Sequence, residues 1–370
     1  MTAQRPAILT THTAAPRRGR RLRRLVGVLA TVATGGALAA CGSSASASSA
    51  SPTTSATPVP LVVYAAEGYD QAEVTAFQKA TGIPTKLVDH STGTLLAKIS
   101  AERDNPQWGV FWSDGAEAYA ALDQQHMLVR GFEPTTGTLN ALGKEVVPAD
   151  KSYVPTGLTI AAAVIYDSNV VKHPPTTWTQ LLQPQWKGAV GMNNPAISGP
   201  TYPFVAGVMQ QLGGVSQGER FFSELKANGL HVYSTNKVTL TALLNGTIKL
   251  ALVQNSAGIG FQFKAPELRV AYPAKVSLLP GVIGIDAKVS KQEIAEAERF
   301  ANFVYSPKGQ AVQLAGDPHG DSLFFPVVKG TKPLPQVPDL ASLPTENPNP
   351  AVWGPREASI DQWFTNNIVQ

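Results

Sequence analysis

Short apolar runs alternate with helically spaced apolar positions along most of the chain. Leu61-Val62-Val63-Tyr64-Ala65-Ala66 is continuous enough for a strand buried on both faces. Val74, Phe77 and Ala80 then recur at helical spacing, and Gly82 supplies a stop before the second strand, residues 83–88. A second helix is expected over residues 94–103 and a third strand over 108–112. Strand, helix, strand, helix, strand predicts a parallel sheet. Further along, residues 156–166 form the longest apolar strand candidate, and runs at 188–192 and 248–253 bound helices near 202–212, 217–228 and 237–244. These make a second α/β unit. Ser216 with Glu219 three residues on predicts a capping box at the start of the 217–228 helix.

The first 40 residues have a different character. Arg17, Arg18, Arg20, Arg21, Arg23 and Arg24 precede the apolar stretch Leu25 to Leu38, which is followed by Ala39-Ala40-Cys41. A basic run, a short apolar run and small residues form a secretory signal, and a stretch of 14 residues falls short of the roughly 20 that span a bilayer. Cys41 is the one cysteine in the chain, and its setting after Leu-Ala-Ala resembles the lipobox of bacterial lipoproteins, whose thiol carries a diacylglyceryl anchor. Residues 42–60 are almost entirely Ser, Ala, Thr, Pro and Gly, so 41–60 read as a tether. This segment also explains the charge. The formal +4 includes seven arginines in the first 40 residues, and beyond them 23 basic face 26 acidic residues, which leaves no footprint for nucleic acid.

At 370 residues with 15% charged side chains, the chain is long enough for two cores and is neither a disordered polyelectrolyte nor a coiled coil. Residues 61–68, 77–106, 176–202, 243–258 and 300–314 resemble, in order, the solute-binding proteins of bacterial ABC importers, in the branch of ferric-ion, thiamine and 2-aminoethylphosphonate binders. The resemblance implies a two-lobed α/β fold of the type II periplasmic-binding-protein kind, each lobe a mostly parallel sheet flanked by helices. It also implies a ligand in the inter-lobe cleft, no catalysis, no cofactor, and partners in an ABC permease and a cytoplasmic ATPase. Its topology sets lobe one at residues 61–155 plus 275–325, lobe two at 156–274, and a tail from 326–370 packing back on the lobes. With the anchor, it places the protein at the outer face of a cytoplasmic membrane or in a periplasm.

Three clusters stand ahead of expected helices: Ser91-Thr92-Gly93, Ser198-Gly199-Pro200-Thr201 and Ser234-Thr235-Asn236. Helix N-termini present free N–H groups and partial positive charge, so these positions suit an oxyanion, and plain N-capping suits them equally. Glu67-Gly68 and Asp114 follow the ends of strands and are expected to hold an ammonium group, with Tyr69, Trp112, Tyr153 and Tyr202 packing against the same ligand. Asn255 lies in Gln254-Asn255-Ser256, where the resemblance points to further ligand contacts. An aminophosphonate or another small oxyanion satisfies both sets, with thiamine and polyamines as other solutes.

Ferric iron is the first alternative. No Tyr-Tyr pair supplies phenolates, and His90, His126, His173, His231 and His319 lack metal-ligand spacing, so no metal site is assigned. A serine acyl-enzyme is the alternative of another class. Ser234-Thr235-Asn236-Lys237 fits S-x-x-K, yet K-T-G is missing and Asp167-Ser168-Asn169 has the wrong order for S-D-N.

Overall fold

In the computed structural model, residues 58–370 are described. The signal segment, Cys41 and most of the tether lie outside them. The elements in chain order begin with β1 (Leu61–Ala65), α1 (Asp70–Thr81), β2 (Thr85–Asp89), α2 (Thr92–Ala101), β3 (Val110–Asp114), α3 (Ala116–Gln124), α4 (Ala141–Val146) and β4 (Tyr153–Ile160). Then follow β5 (Ala163–Asp167), β6 (Val190–Asn193), α5 (Thr201–Gln211), α6 (Val215–Ala227), β7 (His231–Tyr233), α7 (Asn236–Leu244), β8 (Leu250–Val253), α8 (Asn255–Phe261) and β9 (Leu268–Ala271). The chain closes with β10 (Val276–Ile285), α9 (Lys291–Tyr305), α10 (Pro307–Gly316), β11 (Thr345–Glu346), α11 (Pro350–Trp353) and α12 (Glu357–Phe364).

Two sheets organise these elements. The first has the order β11-β10-β3-β1-β2, with β4 also on β10, and the second runs β7-β6-β8-β5-β9. Pairing of β1 with β2 and β3, and of β6 with β7 and β8, is parallel, while β10 runs antiparallel to β3 and β4, and β5 antiparallel to β8 and β9. The architecture is thus α/β with two mixed, mostly parallel sheets flanked by helices. The parts built on the first and second sheets are called lobe one and lobe two below.

The apolar run over 156–166 is divided, where one strand was expected. Its first part pairs with β10 in the first sheet, Ala161-Ala162 form the crossing, and β5 joins the second sheet. An apolar run buried on both sides does not reveal which sheet each half enters, because both halves lose water equally. The expected capping box is also absent: Gly214 is the N-cap of α6, with φ 128°, and Ser216 already lies inside the helix. Gly82 does cap α1, at φ 73°, with its N–H on the Gln78 carbonyl.

The C-terminal segment lies against helices of both lobes. Tyr202 Oη on α5 donates to the Trp353 carbonyl at 2.6 Å, the Trp353 indole N–H donates to Gln210 Oε1 at 3.0 Å, and the Phe364 ring meets Phe222 of α6 at 5.4 Å. On the lobe-one side, Gly354 packs so closely on the Glu117 carbonyl of α3 that a Cβ there would sit 2.3 Å away.

Candidate functional site

The ends of β1, β2 and β3 and the N-termini of α2 and α7 open onto a cleft of about 450 Å³. The C-terminal edge of parallel strands is where open sheets leave room for ligands. Lobe one contributes carboxylates: Glu67, Asp70, Asp89, Asp114 and Asp321. Lobe two contributes Ser198, Gly199, Ser234, Thr235, Asn236, Lys237 and Gln254. Lys237 is the one lysine or arginine among the described residues of the lining.

The acidic wall is assembled from distant sequence. Asp321, in the loop after α10, accepts the Gly68 N–H at 2.8 Å and so joins the β1–α1 turn. Gly68 makes that approach feasible, since a Cβ would lie 2.4 Å from Asp317 Oδ2. Glu67, Asp70 and Asp114 are buried, with exposures of 5%, 3% and 7%. Among the described residues, Glu67 Oε1 and Asp70 Oδ2 have no hydrogen-bond partner, while the Tyr69 hydroxyl faces the Glu67 carboxylate. Among the described residues no basic side chain forms an ion pair with any of the five.

Burying like charges together favours the protonated forms. Burial, and then the Asp114 and Asp321 charges, push Glu67 well above the ordinary carboxylate range, and burial followed by Asp321 does the same to Asp114. Asp70 is raised to about 7 by burial and then by Asp89, and Asp321 to about 6 by burial against the opposing Gly68 hydrogen bond.

A chain of amides and hydroxyls forms the opposite wall. Asn193 Nδ2 donates to Ser198 Oγ at 3.1 Å and to Asn236 Oδ1 at 2.6 Å, while Thr239 Oγ1 donates to Asn193 Oδ1 at 2.6 Å. Asn236 reaches Gln254 Oε1 at 3.4 Å, and Gln254 Nε2 crosses to Asp114 Oδ2 at 3.2 Å and Thr159 Oγ1 at 3.0 Å. Thr235 accepts the Val238 N–H as N-cap of α7, so one of the expected anion positions also caps.

The lobes touch at two places. Gly93 N–H donates to the Ile197 carbonyl at 3.3 Å, and Gly199 sits directly on Thr92. Elsewhere the Phe263 ring stands 4.0 Å from the His319 imidazole, beside a close approach of Gly260 to the His319 carbonyl.

Of the residues expected from sequence, Glu67, Gly68, Ser91, Thr92, Asp114, Ser198, Gly199 and Asn236 meet around this cleft. Gly93 lies behind its rim in the inter-lobe contact. Three expected ligand residues face elsewhere. Tyr202 points its hydroxyl at the Trp353 carbonyl, Thr201 is buried beside it in the first turn of α5, and Asn255 accepts the Ile160 N–H at 2.8 Å and donates to Tyr272 Oη. The reason is geometric: neighbours in a helix's first turn diverge by about 100° each, so adjacency to a cleft turn does not aim a side chain into it. Among the described residues no tyrosine, tryptophan or phenylalanine lines the cleft, because Tyr69, Trp112 and Tyr153 are packed into the core, with Tyr69 against Trp112 and its hydroxyl facing Glu67, and Trp112 Nε1 on Thr156. Sequence reasoning missed Asp70, Asp89 and Asp321, and gave Lys237 no ligand role; their roles depend on tertiary contacts rather than on local motifs.

The chain is similar to known proteins along most of its length. Over 265 residues, 68% of this chain and 75% of the relative, it is 24% identical to a Salmonella typhimurium protein provisionally named as a 2-aminoethylphosphonate-binding periplasmic protein. It is 28% identical over 272 residues, 70% of this chain and 80% of the relative, to the major ferric iron-binding protein of Neisseria meningitidis. The structure of the periplasmic binding protein P5PA superposes with a TM-score of 0.74 at 20% identity, covering 84% of this chain and 99% of that one, and so shares the fold. The family described as bacterial extracellular solute-binding protein matches residues 72–345, and the chain belongs to it: it is the substrate-binding protein of an ABC importer, a transport component without enzymatic activity.

Proposed function

We propose that the protein captures a small organic solute with a cationic nitrogen at one end and an anionic or hydrogen-bonding group at the other, an aminophosphonate matching both. The observation that carries this reading is the division of the cleft, carboxylates from lobe one facing hydroxyls, amides and Lys237 from lobe two. Charges of opposite sign on one ligand then pull the two walls together. The lobes, taken as residues 61–155 plus 275–325 and 156–274, close about their two crossings, and the tail 326–370 stays docked behind them. Ligand binding shifts the population toward the closed form, which the permease and its cytoplasmic ATPase receive. Cys41 carries the lipid that holds the protein at the membrane, and residues 42–60 give it reach.

Ferric iron finds less support. Phenolate is a hard anionic oxygen ligand, and no tyrosine lines the cleft; among the described residues no three His, Cys, Asp or Glu side chains are placed to hold a metal ion. Ser234 and Lys237, the S-x-x-K pair, belong to the ligand wall.

A thermal-shift screen of the ligand-free protein against aminophosphonates, simple phosphonates, phosphate, thiamine, polyamines and ferric citrate tests the reading, since a ligand of the native state raises the melting temperature by mass action. A rise with 2-aminoethylphosphonate that exceeds the rise with ethylphosphonate is expected. Equal rises, or a rise with ferric citrate alone, would overturn it.

A further inference from the structure

The acidic wall has a consequence for how the cleft loads. Glu67 stands in the β1–α1 turn and faces Tyr69, Asp70, Asp114 at the end of β3, and Asp321 with Asp317 in the loop after α10. Asp70, at the start of α1, faces Asp89 at the end of β2, beside which stands His90. From lobe two, neutral Gln254 reaches Asp114, and Lys237 stands on the α7 side of the cleft without an ion pair to these acids.

Among the described residues, two oxygens of this wall, Glu67 Oε1 and Asp70 Oδ2, are buried without a hydrogen-bond partner, and although the Tyr69 hydroxyl faces the Glu67 carboxylate and backbone N–H groups face that of Asp70, no side chain brings them a counter-charge. With the lobes in contact at Gly93 and Ile197, several carboxylates in one low-dielectric space cannot all ionise unpaired, and the cheapest neutraliser available to this cleft without its solute is the proton.

We propose that the empty cleft stores protons on the Glu67, Asp114 and Asp321 cluster and that a cationic solute enters by displacing one of them. The step balances simply: the ligand's ammonium keeps its own protons, one carboxylic acid ionises to pair with it, and the released proton goes to bulk water. The inference rests on the two-ended capture proposed above and adds its regulation. Capture strengthens as pH rises through the range where the cluster would otherwise be protonated, and release of the solute is favoured by acid. Burial raises the pKa values of all three groups, that of Asp321 to about 6, in the direction that favours bound protons.

Isothermal titration of the protein with 2-aminoethylphosphonate at pH 6, in buffers of different ionisation enthalpy, counts the protons. Close to one proton released per ligand is expected, with affinity rising about tenfold per pH unit while that proton is exchanged. Glu67→Gln and Asp114→Asn should each lower the count, whereas any proton belonging to the phosphonate stays in all three titrations. Binding with the same proton count in wild type and both variants would overturn the proposal and leave the importer reading intact.

Should 2-aminoethylphosphonate fail to bind, the ligand chemistry is wrong, and a ligand-free arm decides the proton store by itself. A buried acid with raised pKa favours the fold fully below its unfolded pKa and loses that contribution as pH rises through the folded value. Glu67→Gln, or Asp114→Asn if the first folds poorly, should therefore raise the melting temperature relative to wild type by several degrees more at pH 8 than at pH 4. A difference that does not change with pH would overturn it.

Discussion

Gly93 is the position where closure can be separated from folding. It is the second residue of α2, and its backbone lies against the 194–200 loop of lobe two, with its N–H on the Ile197 carbonyl at 3.3 Å. A Cβ placed there would stand 2.1 Å from the Ala196 carbonyl oxygen, whereas ordinary contact begins at 3.4 Å, so Gly93→Ala obliges the lobes to separate locally by about 1.3 Å. The atom in the way is backbone and cannot swing aside. Overpacking of this kind costs about 1–3 kcal/mol, and about 2 kcal/mol taken from the closed form alone weakens ligand binding about 30-fold. Within lobe one the same change is favourable, because alanine in a helix is more stable than glycine by about 0.5–1 kcal/mol. The variant should accordingly bind its solute far more weakly and compact less on loading in small-angle scattering. Unchanged affinity together with unchanged compaction would refute the assignment of this contact to closure.

Other substitutions probe separate parts of the account. Tyr202→Phe removes the donor to the buried Trp353 carbonyl and should cost about 1–3 kcal/mol in urea unfolding while leaving solute affinity unaltered; a large affinity loss would return Tyr202 to the cleft. Phe263→Ala deletes the ring over His319, an aromatic pair worth about 0.5–1.5 kcal/mol, and should weaken capture about two- to tenfold with little change in the melting temperature of the empty protein. Cys41→Ser should move the protein from the membrane fraction to the soluble fraction, and continued tight membrane association would contradict the anchor.

The α/β pattern was legible because buried parallel strands read as continuous apolar runs, and β1, β2 and β3 lie within a few residues of where that pattern sets them. Half of the cleft was legible for the same reason: Glu67, Ser91 and Thr92 come within three residues after strand ends and Asp114 ends β3, and strand ends are where the sheet opens. The remainder depends on contacts across long stretches of chain. Asp321 meets Gly68 at a separation of 253 residues, and nothing local to its loop marks it as part of an acidic wall. Tyr202 illustrates the opposite failure, since its sequence position beside Ser198 is right while the helix turns its side chain toward α11. The aromatic residues near the strand ends went to the core because each buries a large apolar surface, and rings such as Tyr69 and Trp112 gain more by packing on one another than by facing a wet cleft.

A crystal structure of the protein loaded with 2-aminoethylphosphonate tests two-ended capture most directly. The account predicts the ammonium within hydrogen-bond distance of the Glu67, Asp114 and Asp321 carboxylates, with the phosphonate against Ser198, Asn236 and Lys237 and the lobes in contact at Gly93 and Ile197. A ligand bound with its phosphonate toward the carboxylates, or seated outside this cleft, would contradict it.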